Sequence, residues 1–137
     1  MLVGVLALQG DFEAHGRMLR DLVRAGTPVL GTCAGMIMLD REHLGCMDPL
    51  CKRNAFGRQI RSFEEDLEIP GIDGEPVRAV FIRAPWIDEH GDAVEVLAEV
   101  DGHVVAARQD NRLVISFHPE IAGEDRIHAL FLEAIRA

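Results

Sequence analysis

Cys33 lies in the run Pro28-Val29-Leu30-Gly31-Thr32-Cys33-Ala34-Gly35-Met36, a short apolar strand that enters a small-residue turn and continues into an apolar, helix-like stretch. A strand–turn–helix elbow of this kind lifts one side chain to the tip of a sharp bend, within reach of a substrate. The helix N-terminus behind the thiol offers backbone N–H groups and the positive end of a dipole, and both are expected to favour thiolate over thiol. Far downstream, Ser116-Phe117-His118-Pro119-Glu120 reads as a second strand end carrying an imidazole and a carboxylate two residues apart. A cysteine nucleophile, an imidazole base and a carboxylate to orient that base are the parts of a hydrolytic triad. Attack by the sulfur on a carbonyl carbon creates an oxyanion, for which the backbone N–H of Ala34 at the elbow is the obvious donor.

Each of these residues also has a plainer structural reading. Cys33 can be a small buried thiol in a tight turn, as free cysteines commonly are. His118 can be a hydrogen-bonded histidine at a strand end, and Glu120 a solvated carboxylate after Pro119. Cys46 and Cys51 have His43 nearby, yet their spacing matches no standard zinc pattern, and both read as core thiols. His15, His90, His103 and His128 are scattered and read as structural. Arg53 and Arg83 can serve as ordinary surface or ion-pairing arginines, although Arg83 ends an apolar strand, a good place for a binding group.

The elements that must position these groups follow from hydropathy and turn chemistry. Leu2 to Leu8 is continuously apolar, as expected for a strand covered on both faces. Asp11 is suited to cap a helix running through Phe12, Met18, Leu19, Leu22 and Val23, which Gly26 closes before Pro28 opens the next strand. Ala34 to Leu39 is the helix after the elbow, and Asp40 to Gly74 reads as a polar, turn-rich middle. Strands are expected at Val77–Arg83, Val94–Val100, His103–Arg108 and Leu113–Phe117, with a hairpin turn at Asp101-Gly102. A helix with Ile127, Leu130, Phe131, Ala134 and Ile135 on one face ends the chain. This order predicts an α/β sheet with a β-rich second half, in one domain over residues 1–137.

The composition, 48% hydrophobic and 27% charged, is that of a globular chain with a real core. A net charge of −9 argues against nucleic acid or an anionic membrane as partner. The apolar N-terminus lacks a basic region and breaks at Gln9-Gly10-Asp11, so it reads as a buried strand and not a signal peptide. An odd count of three cysteines suits a reducing cytoplasm, and nothing in the sequence calls for a metal or a cofactor.

Gly31-Thr32-Cys33-Ala34-Gly35 together with Ser116-Phe117-His118-Pro119-Glu120 resembles the class I glutamine amidotransferase domain. Val5-Leu6-Ala7-Leu8-Gln9-Gly10-Asp11-Phe12, Arg53-Asn54-Ala55-Phe56-Gly57-Arg58-Gln59 and Val80-Phe81-Ile82-Arg83-Ala84-Pro85 are similar, more narrowly, to the glutaminase subunits of pyridoxal 5′-phosphate synthase. Ser62-Phe63-Glu64 and the Val94-Glu95-Val96-Leu97 strand fit the same family. The resemblance implies a three-layer class I glutamine amidotransferase-like fold, with a mixed, mostly parallel sheet flanked by helices. It implies hydrolysis of L-glutamine to glutamate and ammonia, the ammonia passing to an ammonia-accepting synthase subunit that makes pyridoxal 5′-phosphate. By the same resemblance Cys33 is the nucleophile, His118 the base and acid, and Glu120 its orienting carboxylate. Arg53, Ile82 and Arg83 then fall at positions that hold the glutamine.

One departure from the family pattern is plain. The family's Gly-Gly-Glu-Ser turn, which binds glutamine and helps form the oxyanion hole, has no counterpart in this sequence. Between Asp11–His15 and Gly16–Arg20 family members carry several tens of additional residues, and a shorter gap falls near Asp40-Arg41-Glu42. The flanking motifs are intact and a central strand would be lost, which favours residues skipped from a longer chain over a true deletion. The loss leaves a second reading open, a non-catalytic partner or regulatory subunit of the same complex.

Overall fold

The computed structural model describes residues 12–52 and 62–136, with side chains described over 17–52 and 62–133. The expected Leu2–Leu8 strand and residues Arg53, Arg58 and Gln59 lie outside the described residues. Helix α1 (Phe12–Arg24) turns Leu19 and Val23, one helical turn apart, toward the core. Gly26, at φ +92°, ends it as expected: its N–H donates to Val23 O at 3.0 Å, and Thr27 N–H donates to Leu22 O at 3.1 Å. Those two bonds are a Schellman cap, and the left-handed residue it needs is most cheaply a glycine. Strand β1 (Val29–Thr32) and helix α2 (Ala34–Leu39) follow, then β2 (Leu50–Lys52), β3 (Ser62–Leu67), β4 (Val77–Ile82), β5 (Trp86–Glu89), β6 (Glu95–Val100), β7 (His103–Gln109), β8 (Arg112–Ile115) and helix α3 (Arg126–Arg136).

The main sheet is mixed and runs β1-β8-β7-β5-β2, with β6 also paired to β7. β1 and β8 pair in parallel, Val29 opposite Arg112 through Thr32 opposite Ile115. The β6–β7 and β7–β8 pairs are antiparallel, and Asp101 and Gly102, both at positive φ, make the tight turn between β6 and β7. Strands β3 and β4 form a separate two-stranded ribbon in register from Ser62 opposite Ile82 to Leu67 opposite Val77.

Alternation along β8 shows how the layers form. Leu113, Ile115 and Phe117 pack in one core with Phe81 of β4 and Ile127, Leu130 and Phe131 of α3. Val114 packs in the other core with Val23 of α1 and Met36, Met38 and Leu39 of α2. The sheet is therefore buried on both faces between helices, a three-layer α/β arrangement. Strands β2, β3 and β5 were not expected from the sequence. β3 is an acidic strand exposed at most positions, and its pairing to the buried β4 supplies the order that its composition does not.

Asp40, fully buried at the end of α2, organises the turn that follows. Its Oδ1 accepts the N–H groups of Glu42 at 3.0 Å and His43 at 3.1 Å, and lies 2.6 Å from His43 Nδ1. Its Oδ2 accepts Cys51 N–H at 3.1 Å, tying β2 to the helix. Asp40→Ala leaves these buried donors without an acceptor, so the unfolding free energy measured in urea should fall by about 2–5 kcal/mol. Asp40→Asn, which keeps one acceptor oxygen, should lose less.

Candidate active site

β1 ends at Thr32, and Cys33 follows with φ 52° and ψ −106°, a backbone conformation that non-glycine residues seldom adopt. Two bonds hold it there. Cys33 N–H donates to Ile115 O at 2.8 Å, extending the β1–β8 ladder by one rung, and Cys33 C=O accepts Met36 N–H at 3.0 Å, opening α2. The helix turns back tightly over the strand, so a Cβ added to Gly31 would lie 2.8 Å from the backbone O of Gly35. Glycine at 31 is thus a packing requirement of the elbow.

His118 lies three residues past the end of the partner strand β8. The chain leaves the main sheet here, and His118 N–H donates to Val80 O of β4 at 2.8 Å. The ring Nδ1 is 2.7 Å from Glu120 Oε1. With the carboxylate ionised, Nδ1 carries the proton and donates it to Glu120, which leaves Nε2 as the basic nitrogen. Glu120 is well exposed, with 59% of its side chain open to solvent, so this contact orients the ring more than it stabilises the fold.

The Cys33 thiol is 4.0 Å from Ile82 O at the end of β4. The next residue, Arg83, has φ +46°, and both Ile82 and Arg83 are exposed. Parallel pairing of β1 with β8, together with the β4 carbonyls, thus brings Cys33, Ala34, Ile82, Arg83, His118 and Glu120 to one end of the sheet. Arg53 lies outside the described residues. The carbonyls of Val80 and Ile82 had no signal in the sequence, because backbone atoms carry none.

The expectation of a favoured thiolate is corrected. Burial pushes the Cys33 thiol above its ordinary range, the nearby Ala34 N–H acts in the opposite direction, and the negative charge of Glu120 raises it further. Desolvation outweighs the short helix behind the sulfur. A thiol held this way rests protonated at neutral pH and needs a base to become a nucleophile. Of the two cysteines expected in the core, Cys46 lies within it and Cys51 packs against it, partly buried. Cys51 is pushed up to about 12 by burial and by the charge of Asp40. Among the described residues no group of three or more His, Cys, Asp or Glu is placed to hold a metal ion.

The sequence pattern of the SNO glutamine amidotransferase family matches residues 17–137. The chain belongs to that family. It is 54% identical over 128 residues to the pyridoxal 5′-phosphate synthase subunit PdxT of Streptomyces coelicolor, covering 87% of this chain and 63% of the relative. With the subunit of the same name from Frankia alni it shares 51% identity over 189 aligned positions, covering 98% of this chain and 95% of the relative. A crystal structure described as a glutamine amidotransferase superposes with a TM-score of 0.79 at 40% identity, over 89% of this chain and 68% of that one. The α/β glutamine amidotransferase-like fold expected of the family is the fold observed.

The chain spans between 63% and 65% of the length of the three Streptomyces relatives it matches. The Frankia alignment runs over 189 positions although the chain has 137 residues. That relative therefore carries internal residues with no counterpart here, and the family match begins at residue 17, beside the expected break between His15 and Gly16.

Iodoacetamide labelling followed by peptide mass mapping tests the thiol chemistry. Cys33 should react with a pH midpoint above the ~8.5 of an unperturbed cysteine, because its proton is held more tightly than in water. Cys51 should stay unlabelled until the solution approaches a pH of about 12.

Proposed function

We propose that the chain is a glutaminase. Cys33, His118 and Glu120 act as nucleophile, base and orienting carboxylate in hydrolysing L-glutamine to glutamate and ammonia. The ammonia serves an ammonia-accepting synthase subunit that builds pyridoxal 5′-phosphate, in the cytoplasm. The observation that carries this reading is the strained Cys33 elbow at the end of β1, set beside the hydrogen-bonded His118–Glu120 pair past the end of its partner strand β8. Membership of a glutamine amidotransferase family supports the substrate, and similarity to pyridoxal 5′-phosphate synthase subunits supports the product.

The mechanism follows from the state of each group. His118 Nε2 removes the thiol proton, and the sulfur attacks the side-chain amide carbon of glutamine, forming a C–S bond as the carbonyl π pair moves to oxygen. Ala34 N–H donates to that oxyanion. The oxyanion collapses, His118 returns the proton to the departing nitrogen, and ammonia leaves behind a thioester. Water, deprotonated by the same imidazole, cleaves the thioester to glutamate and restores the thiol. Glu120 keeps the imidazole in the tautomer these steps need and stabilises the imidazolium formed in each half. Arg53 and Arg83 are suited to the α-carboxylate of glutamine, and Ile82 forms part of the wall beside it.

One observation favours a second reading, a non-catalytic partner or regulatory subunit of the same complex. The chain lacks the Gly-Gly-Glu-Ser turn and aligns to a relative over more positions than it has residues. Removal of a single oxyanion donor typically lowers a rate by about 10²–10³, which is enough to silence turnover while the thiol remains reactive.

Ammonia release from glutamine, measured with the synthase partner present, separates the two. The glutaminase reading predicts glutamine-dependent ammonia from the wild type, none from Cys33→Ala, and a loss of about 10²–10⁴ for His118→Ala. No ammonia from the wild type, with binding to the partner retained, would establish the non-catalytic reading instead.

A further inference from the structure

The nucleophile and its base are held by different parts of the fold. The backbone of Cys33 belongs to the main sheet, through its N–H bond to Ile115 O at 2.8 Å. The backbone of His118 is held by the β3–β4 ribbon, through its N–H bond to Val80 O at 2.8 Å. The ribbon is a separate sheet and shares no ladder with β8. The distance between sulfur and imidazole therefore depends on how firmly the ribbon is seated against the end of β8.

That seating is aromatic. Phe81 lies between Val80 and Ile82, the two residues whose carbonyls face His118 and Cys33, and its side chain is fully buried. Phe63, directly opposite in the ribbon register, stacks on it with ring centroids 4.6 Å apart and planes within 8°. Phe117, the residue before His118, meets the Phe81 ring at 5.6 Å and 63°. The three rings form one continuous contact from β3 through β4 to the segment that carries the base. Phe81 and Phe117 are fully buried core residues, whereas Phe63 is only partly buried. Truncation at Phe63 can thus loosen the joint without emptying the core.

We infer that Phe63 is a positioning residue for the catalytic pair, acting through Phe81 and Phe117 to fix His118 relative to Cys33. The inference rests on the reading of His118 as the base. Phe63 stacks on Phe81 and reaches His118 only through that ring and Phe117. Its effect is on where the imidazole sits, and small displacements of a catalytic group lower rates steeply.

A double-mutant cycle read on Cys33 tests it without needing turnover. Iodoacetamide alkylation of Cys33 at pH 7 is measured in the full chain for wild type, Phe63→Ala, His118→Ala and the double variant. The imidazole takes the thiol proton only as the sulfur attacks, so His118→Ala should slow alkylation. Phe63→Ala should slow it by about fivefold or more, and should have no further effect once His118 is gone. Phe63→Tyr, which keeps the ring, should restore the wild-type rate. In the complex, Phe63→Ala should lower kcat about tenfold with KM within about twofold of wild type.

If Phe63→Ala does not fold, Phe63→Leu, which keeps apolar volume but not the stack, is read in its place. Equal slowing in both backgrounds, or a rate within twofold of wild type in a folded variant, overturns the inference. An unchanged rate in His118→Ala overturns the assignment of the base, and the inference with it.

Discussion

Parallel pairing of β1 with β8 places two distant stretches of sequence side by side, Thr32 opposite Ile115. Each strand then leaves the sheet at the same end, one into the Cys33 elbow and the other toward His118. Both faces of β8 are buried, one against α3 and β4 and the other against α1 and α2, so a slip of one residue would move every side chain into the opposite core, where it does not fit. The strained backbone of Cys33 is sustained by the same pairing, since its N–H completes the ladder to Ile115. Strain of this sort costs about 1–3 kcal/mol and persists only where the surroundings over-determine it. Here the ladder, the start of α2 and the close approach of Gly31 to Gly35 do so together.

Helix α2 is fixed at both ends by chemistry of opposite character. At its start an uncharged, protonated thiol sits in a desolvated bend, made more reluctant to ionise by the charge of Glu120. At its end a buried Asp40 carboxylate is met by backbone N–H groups and by His43. The same desolvation raises Cys51 to about 12, with the Asp40 charge adding to it. Cys33 differs from Cys51 in standing at the end of the sheet that also carries His118, whose ring is hydrogen-bonded to Glu120.

The parts of the site legible in the sequence were those written in side chains. The Cys33 elbow and the His118–Glu120 pair were visible as motifs, helices α1 and α3 as periodic apolar faces, and α2 as the apolar stretch that follows the elbow. The expected break near His15 rested on the intact motifs that flank it, and the Frankia alignment, longer than this chain, shows that the relative carries additional internal residues. Strands β3 and β5 were not legible, because Ser-Phe-Glu-Glu-Asp-Leu and Trp-Ile-Asp-Glu are dominated by exposed acidic positions and owe their extended form to a neighbouring strand. The direction of the Cys33 shift was misread because a dipole argument is local, whereas desolvation depends on residues brought in from β4 and β8. Phe63 was visible within a family motif, yet only the ring stack shows what it joins.

The central claim is that Cys33, alone of the three cysteines, forms a covalent bond to a glutamine-derived acyl group. A glutamine analogue with a diazoketone in place of the side-chain amide, followed by peptide mass mapping, reads this directly. A single adduct on Cys33, suppressed by excess glutamine and absent from Cys46 and Cys51, is the result the account predicts. An adduct on either other cysteine, or labelling of Cys33 that glutamine does not suppress, would contradict it.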